Sequence, residues 1–117
     1  PLDLRAMTLA CDPLIGSHDF SSFCRRPRVA EGQDPVSLTR RVTDARWTVL
    51  DDGLLRFEIT ANAFCHQMVR SVVGRLVDVG RGRTRAGDVL GIIRAKDRQG
   101  APSPAPPQGL CLWSVQY

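Results

Sequence analysis

Apolar and polar positions along the chain alternate between two periods, and the switches between them divide it into elements. Leu4, Met7 and Cys11 share one face of a helix over residues 3–11, which Pro13 and Gly16 bring to an end. Ser17 to Phe23 reads as a turn leading into a short helical piece, with Asp19 or Ser17 as its cap. The proline, glycine and mixed charge from Arg25 to Pro35 read as a loop. Val36 to Leu50, rich in Val, Thr and Trp, suits a long strand. Ala45, Trp47 and Val49 fall on one of its faces and Leu38 and Val42 on the other, so a bulge between the two parts is expected. Asp51-Asp52-Gly53 predicts a hairpin turn into a returning strand. That strand sets Leu55, Phe57, Ile59 and Ala61 against Arg56, Glu58 and Thr60.

The helical period is clearest from about Phe64 to Val79. There Val69, Val72, Val73, Leu76 and Val77 recur at i, i+3, i+4, i+7 and i+8, with Asn62 as the expected cap. Gly80-Arg81-Gly82 stops that helix, and a second one is expected over Ala86 to Ala95. Ala101 to Gln108, with four prolines, is an extended connector, and Leu110 to Tyr117 closes the chain as a strand of a sheet interior. This order predicts an α+β domain, an antiparallel sheet with helices packed on one face. No internal repeat interrupts it.

Length and composition narrow the class. A chain of 117 residues is one domain, its apolar and charged fractions are those of a globular protein, and no run reaches the ~18 apolar residues of a membrane span. It opens on Pro1 without a signal-like segment, so it is expected to be a fragment of a longer soluble protein. The net charge of +4 rests on fifteen arginines and Lys96, and arginine favours planar contacts with phosphates and bases. Cys11, Cys24, Cys65 and Cys111 are widely spaced and lack the pattern of a zinc site, so they read as free thiols in a reducing cytoplasm.

Candidate chemistry gathers in Ala61-Asn62-Ala63-Phe64-Cys65-His66-Gln67-Met68-Val69-Arg70. Arg70 falls at the edge of the apolar stripe, with His66 one turn earlier and Gly74 one turn later. An arginine half-covered there presents its guanidinium to a carboxylate or phosphate with little rotamer entropy left to lose. The blander reading is an arginine whose stem merely covers core surface. His18-Asp19 is too small a set for a metal site. Arg25, Arg26 and Arg28, and again Arg81, Arg83 and Arg85, make two basic loops suited to RNA phosphates or to plain solvent.

Four stretches resemble the tRNA pseudouridine synthase A family, in register and over nearly the whole chain. They are Gly16-Ser17-His18-Asp19-Phe20-Ser21-Ser22-Phe23, the segment from Ala61 to Gly74, Asp78 to Gly82, and Gln108-Gly109-Leu110-Cys111-Leu112-Trp113 onward to Tyr117. Cys65 and Cys111 stand where such proteins usually carry leucine and tyrosine.

The resemblance implies the C-terminal half, residues 1–117, of a pseudouridine synthase fold whose two halves face each other across a basic cleft. It implies isomerisation of a uridine in the anticodon arm of tRNA, with no metal and no organic cofactor. It further implies a cytoplasmic homodimer. Arg70 matches the arginine that pairs with a catalytic aspartate acting at ribose C1′. Phe64 matches an aromatic wall, His66 and Gln67 match its polar neighbours, and Arg25, Arg26, Arg81 and Arg83 become candidates for RNA contact. The aspartate belongs to the N-terminal half, in an Arg-Thr-Asp-Ala-Gly setting absent here, and the tyrosine that packs on the base is absent too. Asp44, in Arg41-Val42-Thr43-Asp44-Ala45-Arg46, only echoes that setting and reads as a surface charge on a strand. By itself the chain is expected to be inactive. The alternative is a non-catalytic RNA-binding or dimerisation module.

Overall fold

The computed structural model describes residues 2–24, 32, 37–51, 54–65 and 67–96. The chain starts with α1 (Leu4–Cys11), capped by the Asp3 carboxylate, which accepts from the Ala6 amide at 3.1 Å. A 3-10 turn over Asp12–Leu14 follows, with Pro13 in its first positions, as the helix-ending signals predict. Met7, Ala10 and Cys11 are the buried face of α1.

Three antiparallel strands follow in the order β1 (Gly16–Asp19), β2 (Thr39–Val49) and β3 (Leu55–Ala61). β1 is a correction, since residues 17–19 read locally as a turn. Their strand geometry comes from β2, which pairs His18 with Arg40 and Gly16 with Val42, a partner too distant in sequence to register in local propensity. The turn falls after β1, where Asp19 Oδ1 accepts from the Ser21 amide at 2.9 Å and from the Ser21 hydroxyl. Phe20 and Phe23 are thereby driven into the core.

The expected bulge is present at Thr43, between the pairs Val42↔Ala61 and Asp44↔Thr60. The extra residue brings Val42 onto the face of Ala45 and Trp47, opposite Ala61, Ile59 and Phe57. That face meets the helices. The opposite face carries Asp44, Arg46, Arg56 and Glu58, joined by ion pairs of 3.0–3.5 Å. The hydrogen bond from Arg46, ahead of the neighbouring positive charges, holds the Glu58 carboxyl below its ordinary range. β2 and β3 close as a hairpin, the Leu50 amide donating to the Leu54 carbonyl, while Asp52 and Gly53 lie outside the described residues.

The principal helix, α2 (Met68–Gly80), starts later than its periodicity suggests, and Asn62 does not cap it. The Asn62 side chain instead accepts from the Arg41 amide at 2.8 Å, and its own amide donates to the Arg41 carbonyl. Asn62 therefore terminates the sheet. The buried stripe of α2 is Met68, Ser71, Val72, Val73, Leu76 and Val79, while Val69 and Val77 are half-buried. This rotation lets the helix pack on both α1 and the sheet. Gly82 (φ 80°) ends α2, with the Arg83 amide donating to the Asp78 carbonyl and the Gly82 amide to the Val79 carbonyl.

A 3-10 turn over Ala86–Asp88 leads into α3 (Val89–Ala95), which buries Val89 and Ile93. One core joins all these elements around Phe20, Phe23, Leu14, Val42, Leu76 and Val72. The result is an α+β domain with helices against one face of an antiparallel sheet. No helix among the described residues is long and apolar enough to cross a membrane. The connector and closing strand expected over Ala101 to Tyr117 lie outside the described residues.

Candidate active site

The connector from Asn62 to Gln67 delivers the chain from β3 into α2. Phe64 is half-buried there and packed against the core rather than free on the surface. His66 lies outside the described residues. Gln67 takes a left-handed backbone (φ 63°), which turns the chain into the helix. A non-glycine residue in that region costs about 1 kcal/mol or more and persists only where its surroundings impose it. Here the Met68 amide donates to the Cys65 carbonyl and the Ser71 amide to the Gln67 carbonyl, locking the first turn.

Arg70 is the third residue of α2. It is half-buried, flanked along the helix by Val69 and by buried Val73, as the wheel predicts. Phe64, Gln67 and Arg70 thus all lie at or just before the N-terminal end of α2. Asp44 is on the outer face of the sheet, its side chain 46% exposed and 3.5 Å from Arg46.

Arg81 and Arg83 are exposed at the opposite end of α2, about 16 Å or more from Arg70 at 1.5 Å per helical residue. Their loop is anchored rather than loose. The Thr84 hydroxyl donates to Asp78 at 2.7 Å, and Arg75 reaches Thr84 at 3.5 Å. Desolvation by burial lowers the pKa of Arg75, against the opposing pull of Asp78. The other basic loop, with Arg25, Arg26 and Arg28, lies outside the described residues.

A further feature escaped the linear reading. Cys24, on the turn after β1, and Cys65, on the connector, are joined as a disulfide with Cα atoms 5.6 Å apart and a sequence separation of 41. Two of the four cysteines are therefore paired rather than free, because folding brings together positions whose spacing carries no signature. Cys11 is free and buried, and Cys111 lies outside the described residues. The described residues gather no group of three or more His, Cys, Asp or Glu side chains.

Comparison with known proteins bears on the same segments. A family model described as tRNA pseudouridine synthase matches residues 10–117. The chain is 42% identical over 117 residues to tRNA pseudouridine synthase A of Bacillus velezensis, covering all of this chain and 45% of that protein. It is 41% identical to the protein of that name from Chromobacterium violaceum, covering 99% of this chain and 42% of the relative. The Bacillus subtilis protein is 40% identical, with 99% and 44% covered. The chain spans less than half the length of the curated relatives it matches. With the model matched from α1 to the last residue, the chain belongs to the tRNA pseudouridine synthase family.

Proposed function

We propose that this chain is the C-terminal half of an enzyme that converts uridine to pseudouridine in the anticodon arm of tRNA, working in the cytoplasm as a homodimer. The observation that carries the reading is Arg70, half-buried on the first turn of α2 beside a connector whose backbone is locked by its own hydrogen bonds. In the reaction the bond from ribose C1′ to N1 of uracil breaks, a bond from C1′ to C5 forms, and the proton on C5 is lost while N1 regains one. An aspartate from the N-terminal half acts at C1′ and must be ionised to do so. The Arg70 guanidinium holds it ionised and aimed, since a fixed positive charge favours the carboxylate and a planar fork sets its direction. Phe64 shapes the wall below that pair, with His66 and Gln67 as polar neighbours. Arg81 and Arg83 contact phosphates farther along the tRNA, as do Arg25 and Arg26. Neither a metal nor an organic cofactor has a part in this reading.

Replacing Arg70 in the complete protein tests it. Arg70→Ala should cut pseudouridine formation by about 100-fold or more while tRNA affinity changes by less than about threefold, because the lost interaction acts on the reacting group. Arg70→Lys keeps the charge but not the fork and should recover only part of the rate. Activity of Arg70→Ala within tenfold of the parent would remove Arg70 from the site.

A further inference from the structure

We propose that Cys24 and Cys65 form a redox-reversible cross-link that clamps the connector before α2 onto the turn after β1, and that reduction loosens the segment carrying Phe64 and Arg70. The two ends of the link differ in kind. Cys24 is 2% exposed on a turn held independently by buried Phe20 and Phe23 and by the Ser22 hydroxyl, which donates to the Ile92 carbonyl at 2.6 Å. That end is a fixed post. Cys65 is half-buried on a connector with no regular structure, and its carbonyl accepts the first bond of α2. Whatever restrains Cys65 therefore restrains the entry into the helix on which Arg70 sits five residues later.

The Cα separation of 5.6 Å lies inside the roughly 4.4–6.8 Å that a disulfide spans, so neither backbone has to move for the bond to form or open. The unequal burial also orders the chemistry. With a hydroperoxide as oxidant, the Cys65 thiolate, the more exposed of the two, takes the terminal oxygen and becomes a sulfenic acid as an alcohol leaves. The Cys24 thiol then attacks that sulfur, forms the S–S bond and releases water. Two thiols have lost two protons and two electrons, and the hydroperoxide has been reduced to alcohol and water. A dithiol reverses the step by exchange, closing to its own disulfide as both cysteines regain their protons. Cys11 does not compete, being 1% exposed and engaged with the Met7 carbonyl.

The link and its effect on the connector stand on geometry alone, whereas its effect on turnover rests on the functional reading above. The test uses the complete protein, treated with hydrogen peroxide or with dithiothreitol. Peptide mapping should find Cys24 joined to Cys65 after peroxide and both thiols free after dithiothreitol, without unfolding. Hydrogen exchange of the amides from residue 63 to residue 70 should be about tenfold faster in the reduced protein, as expected when a local restraint is removed. Cys65→Leu should exchange at the reduced rate in either condition. Pseudouridine formation should fall about threefold in kcat/KM on reduction, and neither Cys65→Leu nor Cys24→Ala should respond to redox state. Failure of the pair to link, or equal exchange in both states, overturns the clamp. Equal turnover by a working enzyme in both states overturns its coupling to Arg70. An enzyme inactive in both states would count against the functional reading, and linkage and exchange would still decide the clamp.

Discussion

Cys11 sits at the end of α1 with its thiol 1% exposed and donating to the Met7 carbonyl. Burial, with smaller contributions from the charges of Asp12 and Asp44, pushes it from an ordinary 9.0 up to about 11. The unfolded chain therefore releases this proton before the folded one does. A pKa raised by folding stabilises below the unfolded value, and that stability is lost as the pH rises through the folded value. Between pH 9 and 11 the chain should lose on the order of 2 kcal/mol through this group. Denaturant midpoints across that range check it, because Cys11→Ala should lack this part of the alkaline decline. Arg70 shows the same dependence on surroundings. In the proposed role its half-covered position matters, since a fully solvated arginine would lose more side-chain entropy on pairing with a carboxylate and would be screened by water and salt.

At the scale of elements, α2 is fixed at both ends by different means. Its start depends on the left-handed Gln67 and the bonds around it, and its end on close contact with α1. The Asp3 amide donates to the Gly80 carbonyl at 2.8 Å, and a Cβ at Gly80 would lie 2.5 Å from Met7 Sδ and 2.9 Å from Met7 Cγ. Gly80→Ala should thus destabilise the chain by about 1–2 kcal/mol, overpacking outweighing the gain in helix propensity. Thermal unfolding of Gly80→Ala alone and combined with Met7→Ala distinguishes the causes, since the double variant should fall short of the sum of the two single ones. After Gly80 the loop held by Thr84 and Asp78 presents Arg81 and Arg83 to solvent. If these side chains meet tRNA phosphates, replacing both with Ala should lower the slope of log affinity against log salt by about 1.4–1.8. An unchanged slope would show that the loop faces away from RNA.

Across the whole molecule, the turn after β1 is the meeting point of the fold. Phe20 and Phe23 fill the core from it, Ser22 ties it to α3, and Cys24 ties it to the connector before α2. A link spanning 41 residues restricts the unfolded chain, so Cys65→Ser should lower stability by about 2–4 kcal/mol under non-reducing conditions. Urea midpoints measured with and without dithiothreitol check this, because the variant and the reduced parent should unfold at similar concentrations. The sheet is equally a long-range object: its charged outer face carries ion pairs among its own side chains, and among the described residues the helices pack on its inner face.

How much of this was legible beforehand follows from the range of each interaction. The hairpin of β2 and β3, the bulge between Val42 and Asp44, both ends of α1 and the glycine stop of α2 were readable, because each is specified by residues within a few positions of one another. The stretch from Phe64 to Arg70 stood out as a candidate site because it is a local string of residue types. Contacts between distant residues were not. β1 became a strand only because β2 came alongside, Asn62 ended the sheet on Arg41 rather than capping α2, and the stripe of α2 rotated to serve two neighbours. The pairing of Cys24 with Cys65 belongs to the same class. Short-range propensity and periodicity are properties of the chain, but which distant partner occupies a backbone edge, a helix face or a thiol is settled only when the core closes.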